Sequence, residues 1–563
     1  MKTRFFNPGG IQQTVLKIAA ISTTLVFINC LTLLSQDWLW AKQIGSSLDD
    51  GATGTCDGNG NLYIAGSYEG PVCYFPSTTL HATGKSNIFL AKFDNEGNEL
   101  WVKQFNVDNY SPGEEDGISD IILDNHGNIY LTGGFFKTVQ FDTIVLTSFF
   151  AMDFFIAKIN SDGHVLWAKR AGGMDNDVGT GLAVDDFFNV FTCGMNTGSA
   201  VFDSSSVEPG GFLVKYDSNG NFQWVKKVVS KTTSITYADV PFTCMTILQN
   251  KLYSCGWENA TVFTIDTITV SHPGKYGHVL CCFDLDGNIQ WVREGIGNGA
   301  YSGYNLSADI HGDIYITGFF HDTISFGGFM LYHPLEFDMF LCKYDQNGSI
   351  QWARQANSSL SGAGHSIIAD AQGYSYVTGQ FSGSAVFGAD TFFSATERDL
   401  FLARYTPEGE CIGVRQFGNA EGWEVSLDAE ENPYLVGDFR DSVTIGGTKF
   451  TAYGSWWSDI FITRGAPITG LKENRRSVSN RLVIYANPTE GKCNIILPDE
   501  FQHEKNLILH VYDSKGNLIQ SLPVAMSGNK ILLNLAAQAS GIYHVTLTNG
   551  RKIYSGKIVF SGN

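Results

Sequence analysis

The chain has 563 residues, 43% of them apolar and 17% charged, with 62 Gly, 23 Tyr and 40 Phe. Such a composition supplies a large core and many turns, and it excludes a disordered or mainly helical protein. The net charge is −19; residues 1–36 and 481–563 carry +3 each, which leaves −25 on residues 37–480. A body this acidic excludes nucleic acid and anionic membrane as partners and suits cations or basic partners.

Residues 1–36 read as a signal peptide for Sec-dependent export. Lys2, Arg4 and Lys17 precede the apolar run "IAAISTTLVFINCLTLL", and Ser35-Gln36 offers a cleavage region. The run is shorter than the roughly 20 residues that span a bilayer comfortably. No later stretch is apolar for long enough, so no membrane span is expected after signal removal. Export leaves ten cysteines, none in C-x-x-C spacing, so neither a zinc ribbon nor a thioredoxin-like site is indicated. In "CMTILQNKLYSC" a two-residue turn at Gln249-Asn250 places Cys244 opposite Cys255. That pair is a candidate disulfide, with two small buried thiols as the alternative.

From residue 37 to 465 one unit repeats. Its mark is a tryptophan, at Trp40, Trp101, Trp167, Trp224, Trp291 and Trp352, with Gly413 at the seventh equivalent place and spacings of 57 to 67 residues. Each unit begins with a small-residue strand such as "GISDIILD", turns, and continues with an alternating strand such as "NIYLTGGF". A short insert follows, then two strands such as "FFIAKINSDGHVLWAKRAGG" joined by an Asp/Asn-Gly turn. Four antiparallel strands repeated radially make a β-propeller blade. The seventh unit lacks the turn and the tryptophan strand after "DIFITR", and the missing strand stands at the start as "DWLWAKQIG". The fold expected is therefore all-β, a seven-bladed β-propeller closed by its N-terminal strand, which removes exposed edges.

The G-x-x-x-W spacing at Gly97/Trp101, Gly163/Trp167, Gly220/Trp224, Gly287/Trp291 and Gly348/Trp352 resembles the bacterial seven-bladed β-propeller repeat proteins. More loosely, it resembles the tryptophan-docking blades of quinoprotein dehydrogenases. The fold implied hosts many unrelated activities.

After the linker 466–480, residues 481–563 hold about seven short alternating strands, the pattern of a small Ig-like β-sandwich. "YANPTEG" with Tyr485, Asn487, Pro488 and Gly491, the turn "DSKGNLI", and "SGIYHVTLTNGRKIYSGKIV" with Gly541 and Tyr543 resemble the C-terminal sorting domain of type IX secretion substrates of Bacteroidetes-type bacteria. Ala486 stands where that family usually has proline. The resemblance implies recognition by the type IX secretion machinery, outer-membrane passage, and a secreted or outer-membrane cell-surface location.

Chemistry is less legible. The inserts and the loops that lead into each unit should share one face. There Trp456 and Trp457 could stack on a sugar or a partner side chain, or could pack against a neighbouring insert. Asp116, Asp177, Glu421 and Glu424 belong to a set of acids at similar places in the repeats. Around a channel mouth they could bind a ligand or hold Ca²⁺, the one cofactor considered; solvated loop acids are the alternative. No metal-spaced histidines, H-E-x-x-H, G-x-S-x-G or phosphate-binding loop occur. Arg170, Arg293, Arg354 and Arg415 sit in or beside the basic pair after the tryptophan place and read as structural. Vicinal Cys281-Cys282 lie mid-strand, where alternation sends them to opposite faces. The reading is a binding or adhesion module for a surface glycan or protein. The alternative is a hydrolase or oxidoreductase with a site in the propeller channel.

Overall fold

The computed structural model describes residues 38–468 apart from 109–116, 231–241, 259–261, 272–275, 298–300, 395 and 455. It also describes residues 482–561 apart from 486–488, 490, 498–500, 502–506, 514–517, 525–529 and 550–552. The signal peptide reading, Asp116, Asn487 and Pro488 lie outside the described residues. The chain divides into two compact units, residues 1–471 and 472–563, and both are built of β-strands.

In the larger unit the repeats fold as antiparallel strands in succession, the plan of a β-propeller. The first repeat orders Asp50–Cys56, Leu62–Tyr68, Asn87–Phe93 and Glu99–Val107 side by side. The second and third strands of each repeat are buried on both faces, which is why they read as nearly continuous apolar runs. The first strands pack beside one another in chain order, and the last of them, Ala420–Leu427, packs beside Asp50–Cys56. The strand Trp38–Ile44 pairs antiparallel with Asp459–Gly465, with Trp40 opposite Arg464 and Ile44 opposite Ile460.

The Asp/Asn-Gly turns also bind repeat to repeat. In the turn at 94–98, Asp94 Oδ1 accepts the N–H groups of Glu96 and Asn98, and Gly97 adopts φ +78°. A Cβ on Gly97 would lie 2.7 Å from the Trp40 ring, so this position needs glycine for both its dihedral and its close approach. The Trp40 indole N–H donates to Asn95 O at 2.9 Å. Trp101, Trp167, Trp224, Trp291 and Trp352 lie in the same way on Gly163, Gly220, Gly287, Gly348 and Gly409. At the seventh place Gly413 has no such turn to cover. There the carbonyls of Pro467 and Ile468 accept from Arg415 and Arg404 instead. Arg293 and Arg354 donate Nε–H to Gly348 O and Gly409 O, and Arg170 pairs with Asp153, so these arginines hold strands and turns.

Most inserts are short hairpins, such as Thr138–Phe141 with Ile144–Thr147, that bond to the end of the preceding repeat's outer strand. In the fifth repeat the insert is continuous with the long strands Ile314–Phe326 and Phe329–Tyr344. Cys281 and Cys282 face different cores. Cys244 lies directly opposite Cys255, and their sulfurs are 3.1 Å apart as thiols.

In the smaller unit a three-stranded sheet (Val483–Tyr485, Lys492–Ile496, Lys530–Asn534) and a four-stranded sheet (Leu518–Pro523, Ile508–Tyr512, Gly541–Thr548, Ile553–Phe560) share one core. Cys493, Ile495 and Leu533 from the first meet Leu509, Val545 and Ile558 from the second. Tyr543 is buried and donates its hydroxyl to Ala539 O at 2.6 Å. Gly491 takes φ +149° beside Thr489, whose hydroxyl accepts its N–H.

Candidate functional site

The small-residue first strands pack beside one another in succession. In five of them the pairing with the second strand carries a bulge at one shared place, between Ile118 and Asp120, Gly179 and Gly181, Gly303 and Asn305, Gly364 and Ser366, and Gly422 and Glu424. A bulge inserts one extra residue and re-aims its side chain. The inserted residues are Ser119, Thr180, Tyr304, His365 and Trp423. Gly422, just before the last of them, approaches Thr378 so closely that a Cβ would lie 2.1 Å from its hydroxyl.

Three of the five are aromatic and come from consecutive repeats. Tyr304 meets His365 edge-on, with centroids 5.4 Å apart, and His365 stacks on Trp423 at 4.3 Å with the planes 7° from parallel. His365 Nδ1 lies 3.1 Å from Gly422 O. Burial lowers the His365 pKa to about 4, so the ring is neutral at pH 7. Trp423 keeps 39% of its surface exposed and Tyr304 37%. The next first strand, Asp50–Cys56, pairs without a bulge and has Ala52 and Thr53 in consecutive register at this level, so the aromatic row ends at Trp423.

Charged groups edge the row. Arg398 forms an ion pair with Glu421. Burial raises the Asp438 pKa to about 6, opposed by hydrogen bonding from Trp423 and by the charges of Arg440 and Arg398. Asp49 lies near enough to Asp438 to raise its pKa further. Asp49 also accepts the Ser458 hydroxyl at 2.6 Å, next to Trp457. Trp456 is 86% exposed and Trp457 45%.

Asp116 lies outside the described residues, and Asp177, Glu421 and Glu424 are each bonded to a nearby group. Asp177 is buried, accepts Gly173 N–H at 2.8 Å, and has its pKa raised to about 8 by burial. Asp50 does the same for Ser46 in the first repeat. Glu421 is committed to Arg398. Glu424, half-buried, accepts the Ser366 hydroxyl at 2.6 Å, and burial raises its pKa to about 8. Each of the described acids has a partner in a neighbouring segment. Among the described residues no group of three or more His, Cys, Asp or Glu is arranged to hold a metal ion.

Trp423, His365 and Tyr304 were not singled out by sequence reasoning. The available signal was a large aromatic residue at the one place where other first strands carry Ser or Thr.

Residues 483–561 match the family described as the secretion system C-terminal sorting domain. An alignment over 173 residues, covering 25% of this chain, is 29% identical to an uncharacterized WD repeat-containing protein of Acanthamoeba polyphaga mimivirus, and it spans only 12% of that protein's length. Among solved structures, the Dos1 propeller is 9% identical with a TM-score of 0.36, covering 78% of this chain and 98% of that one. A Synechocystis apocarotenoid oxygenase variant is 10% identical with a TM-score of 0.35, covering 76% and 98%. No helix among the described residues is long and apolar enough to cross a membrane. The C-terminal unit is a sorting domain of the type IX secretion kind, which implies contact with that machinery and export to the cell surface or beyond it.

Proposed function

We propose that this protein is a binding or adhesion module, secreted or displayed on the cell surface. Its body is a seven-bladed propeller closed by the N-terminal strand, and its tail is an Ig-like sandwich. The ring reading is supported by the unbroken succession of first strands, which runs from Asp50–Cys56 to Ala420–Leu427 and back. The pairing of Trp38–Ile44 with Asp459–Gly465 supports closure.

The observation that carries the binding role is the exposure of aromatic side chains on the insert side of the seventh repeat, at Trp423, Tyr453, Trp456 and Trp457. Large exposed aromatics are costly to leave in water and are the residues that dominate recognition surfaces. The ligand class is a surface glycan or protein. The test is a binding screen of the exported protein against glycan arrays and intact cells of neighbouring species, with Ca²⁺ and with chelator. Saturable binding that falls on substitution of the exposed tryptophans supports the reading. Loss in chelator would give Ca²⁺ a part in it. Absence of binding to every glycan and cell type overturns it.

A further inference from the structure

We propose that Trp423 is the stacking platform of a subsite for a neutral pyranose ring within a polysaccharide; this rests on the binding-module reading above and narrows it to one ligand chemistry. Three features of the site lead there.

The first is a flat, pre-set apolar surface. One face of the Trp423 indole rests on His365, nearly parallel, while 39% of the side chain stays exposed. In the neighbouring strand on the other side Ala52 and Thr53 follow one another in register, so no bulge residue is inserted there. A pyranose presents a face of C–H groups that matches an indole in size, and a ring already held in place loses little entropy on binding it.

The second is the character of the edge. A sugar stacked on an indole points its hydroxyls outward in the ring plane, where they need donors and acceptors. Asp438 lies near enough to Trp423, Arg440 and Arg398 for each to act on its charge, and Arg398 pairs with Glu421 beside Gly422. Planar carboxylate and guanidinium groups accept from and donate to adjacent hydroxyl pairs.

The third is charge. Both signs are present at the edge and Arg398 is already paired, so no free cationic cluster is left to select a uronate or sulfated sugar. The −25 of residues 37–480 opposes anionic polymers further. Asp49, whose charge acts on Asp438, accepts the Ser458 hydroxyl next to Trp457. The exposed Trp456 and Trp457 would serve a polymer as a second aromatic station.

The test is affinity electrophoresis of the full exported protein through gels containing laminarin, xylan, galactomannan or alginate. Retardation by at least one of the three neutral polymers and not by alginate is expected. Trp423→Ala should abolish it, Trp423→Phe should retain part of it, and Asp438→Asn should weaken it several-fold. The paired substitutions Trp456→Ala and Trp457→Ala should reduce retardation without abolishing it. Trp423 is exposed and should tolerate replacement; unchanged thermal melting of Trp423→Phe and Asp438→Asn keeps the comparison valid if Trp423→Ala is unstable. Equal retardation of wild type and the Trp423 variants overturns the subsite, and so does retardation by alginate alone. If no neutral polymer retards the protein but it still binds cells or a protein ligand, the subsite fails and the binding-module reading stands. If it binds nothing in either assay, both fail.

Discussion

His365 and Trp423 lie with their rings 4.3 Å apart and 7° from parallel, each inserted by a bulge into a different first strand. Such a pair contributes about 0.5–1.5 kcal/mol beyond the area it buries. His365→Ala should therefore lower stability by at least that much in denaturant titration. It should also weaken ligand binding more than it weakens folding, because it frees the Trp423 ring. A variant that loses stability but binds as wild type would show that the stack is structural only.

The strand Trp38–Ile44 completes the sheet of the seventh repeat and places Trp40 on the Gly97 turn of the first. Removing residues 37–45 exposes the Asp459–Gly465 edge and takes away buried Trp38 and Ile44. Each such side chain contributes roughly 1.5–3 kcal/mol on burial, so a loss of several kcal/mol and a clear drop in melting temperature are expected. An unchanged melting temperature would refute closure.

Asp177 has a folded-state pKa raised from 3.8 to about 8 by burial. Its neutral form is the one the fold accommodates, so its contribution is complete below pH 4 and is lost as pH rises through 8. Asp177→Asn, which stays neutral, should melt with a flatter pH profile than wild type between those limits. A profile that keeps the wild-type slope would mean that Asp177 is ionised in the folded protein.

Cys244 and Cys255 face each other across one strand pair with sulfurs 3.1 Å apart. In protein exported to an oxidising environment, peptide mapping without reductant should recover a cross-linked peptide joining them. Closing so short a loop contributes on the order of 2–3 kcal/mol in the chain-entropy account. Reductant should then lower the melting temperature of wild type but not of a Cys244→Ser, Cys255→Ser double variant. Recovery of both thiols free would establish them as core packing residues.

Truncation before residue 481 removes the sorting domain whole. The shortened protein should accumulate in the periplasm while still binding its ligand in extracts. Normal surface display of the truncation would detach export from this domain.

The period, the turns and the tryptophan positions were legible in the sequence because their causes are local. An Asp accepting two backbone N–H groups within four residues, and a glycine at φ +78°, need no distant partner. The sorting domain was legible for a related reason: its marks recur in order along one short segment. The partners and protonation of the acids were not legible, because burial, not residue type, sets them. Asp177 and Glu424 look like loop charges until the neighbouring strand encloses them.

The contacts within the aromatic row could not be read. Tyr304, His365 and Trp423 stand one repeat apart, each alone among small residues, and nothing in their local spacing marks them as neighbours. The sequence by itself determined the repeat and the strand pattern through local hydrogen bonding and side-chain alternation. Only the tertiary structure decided which side chains meet, because bulges at equivalent places aim residues from separate sheets at one another.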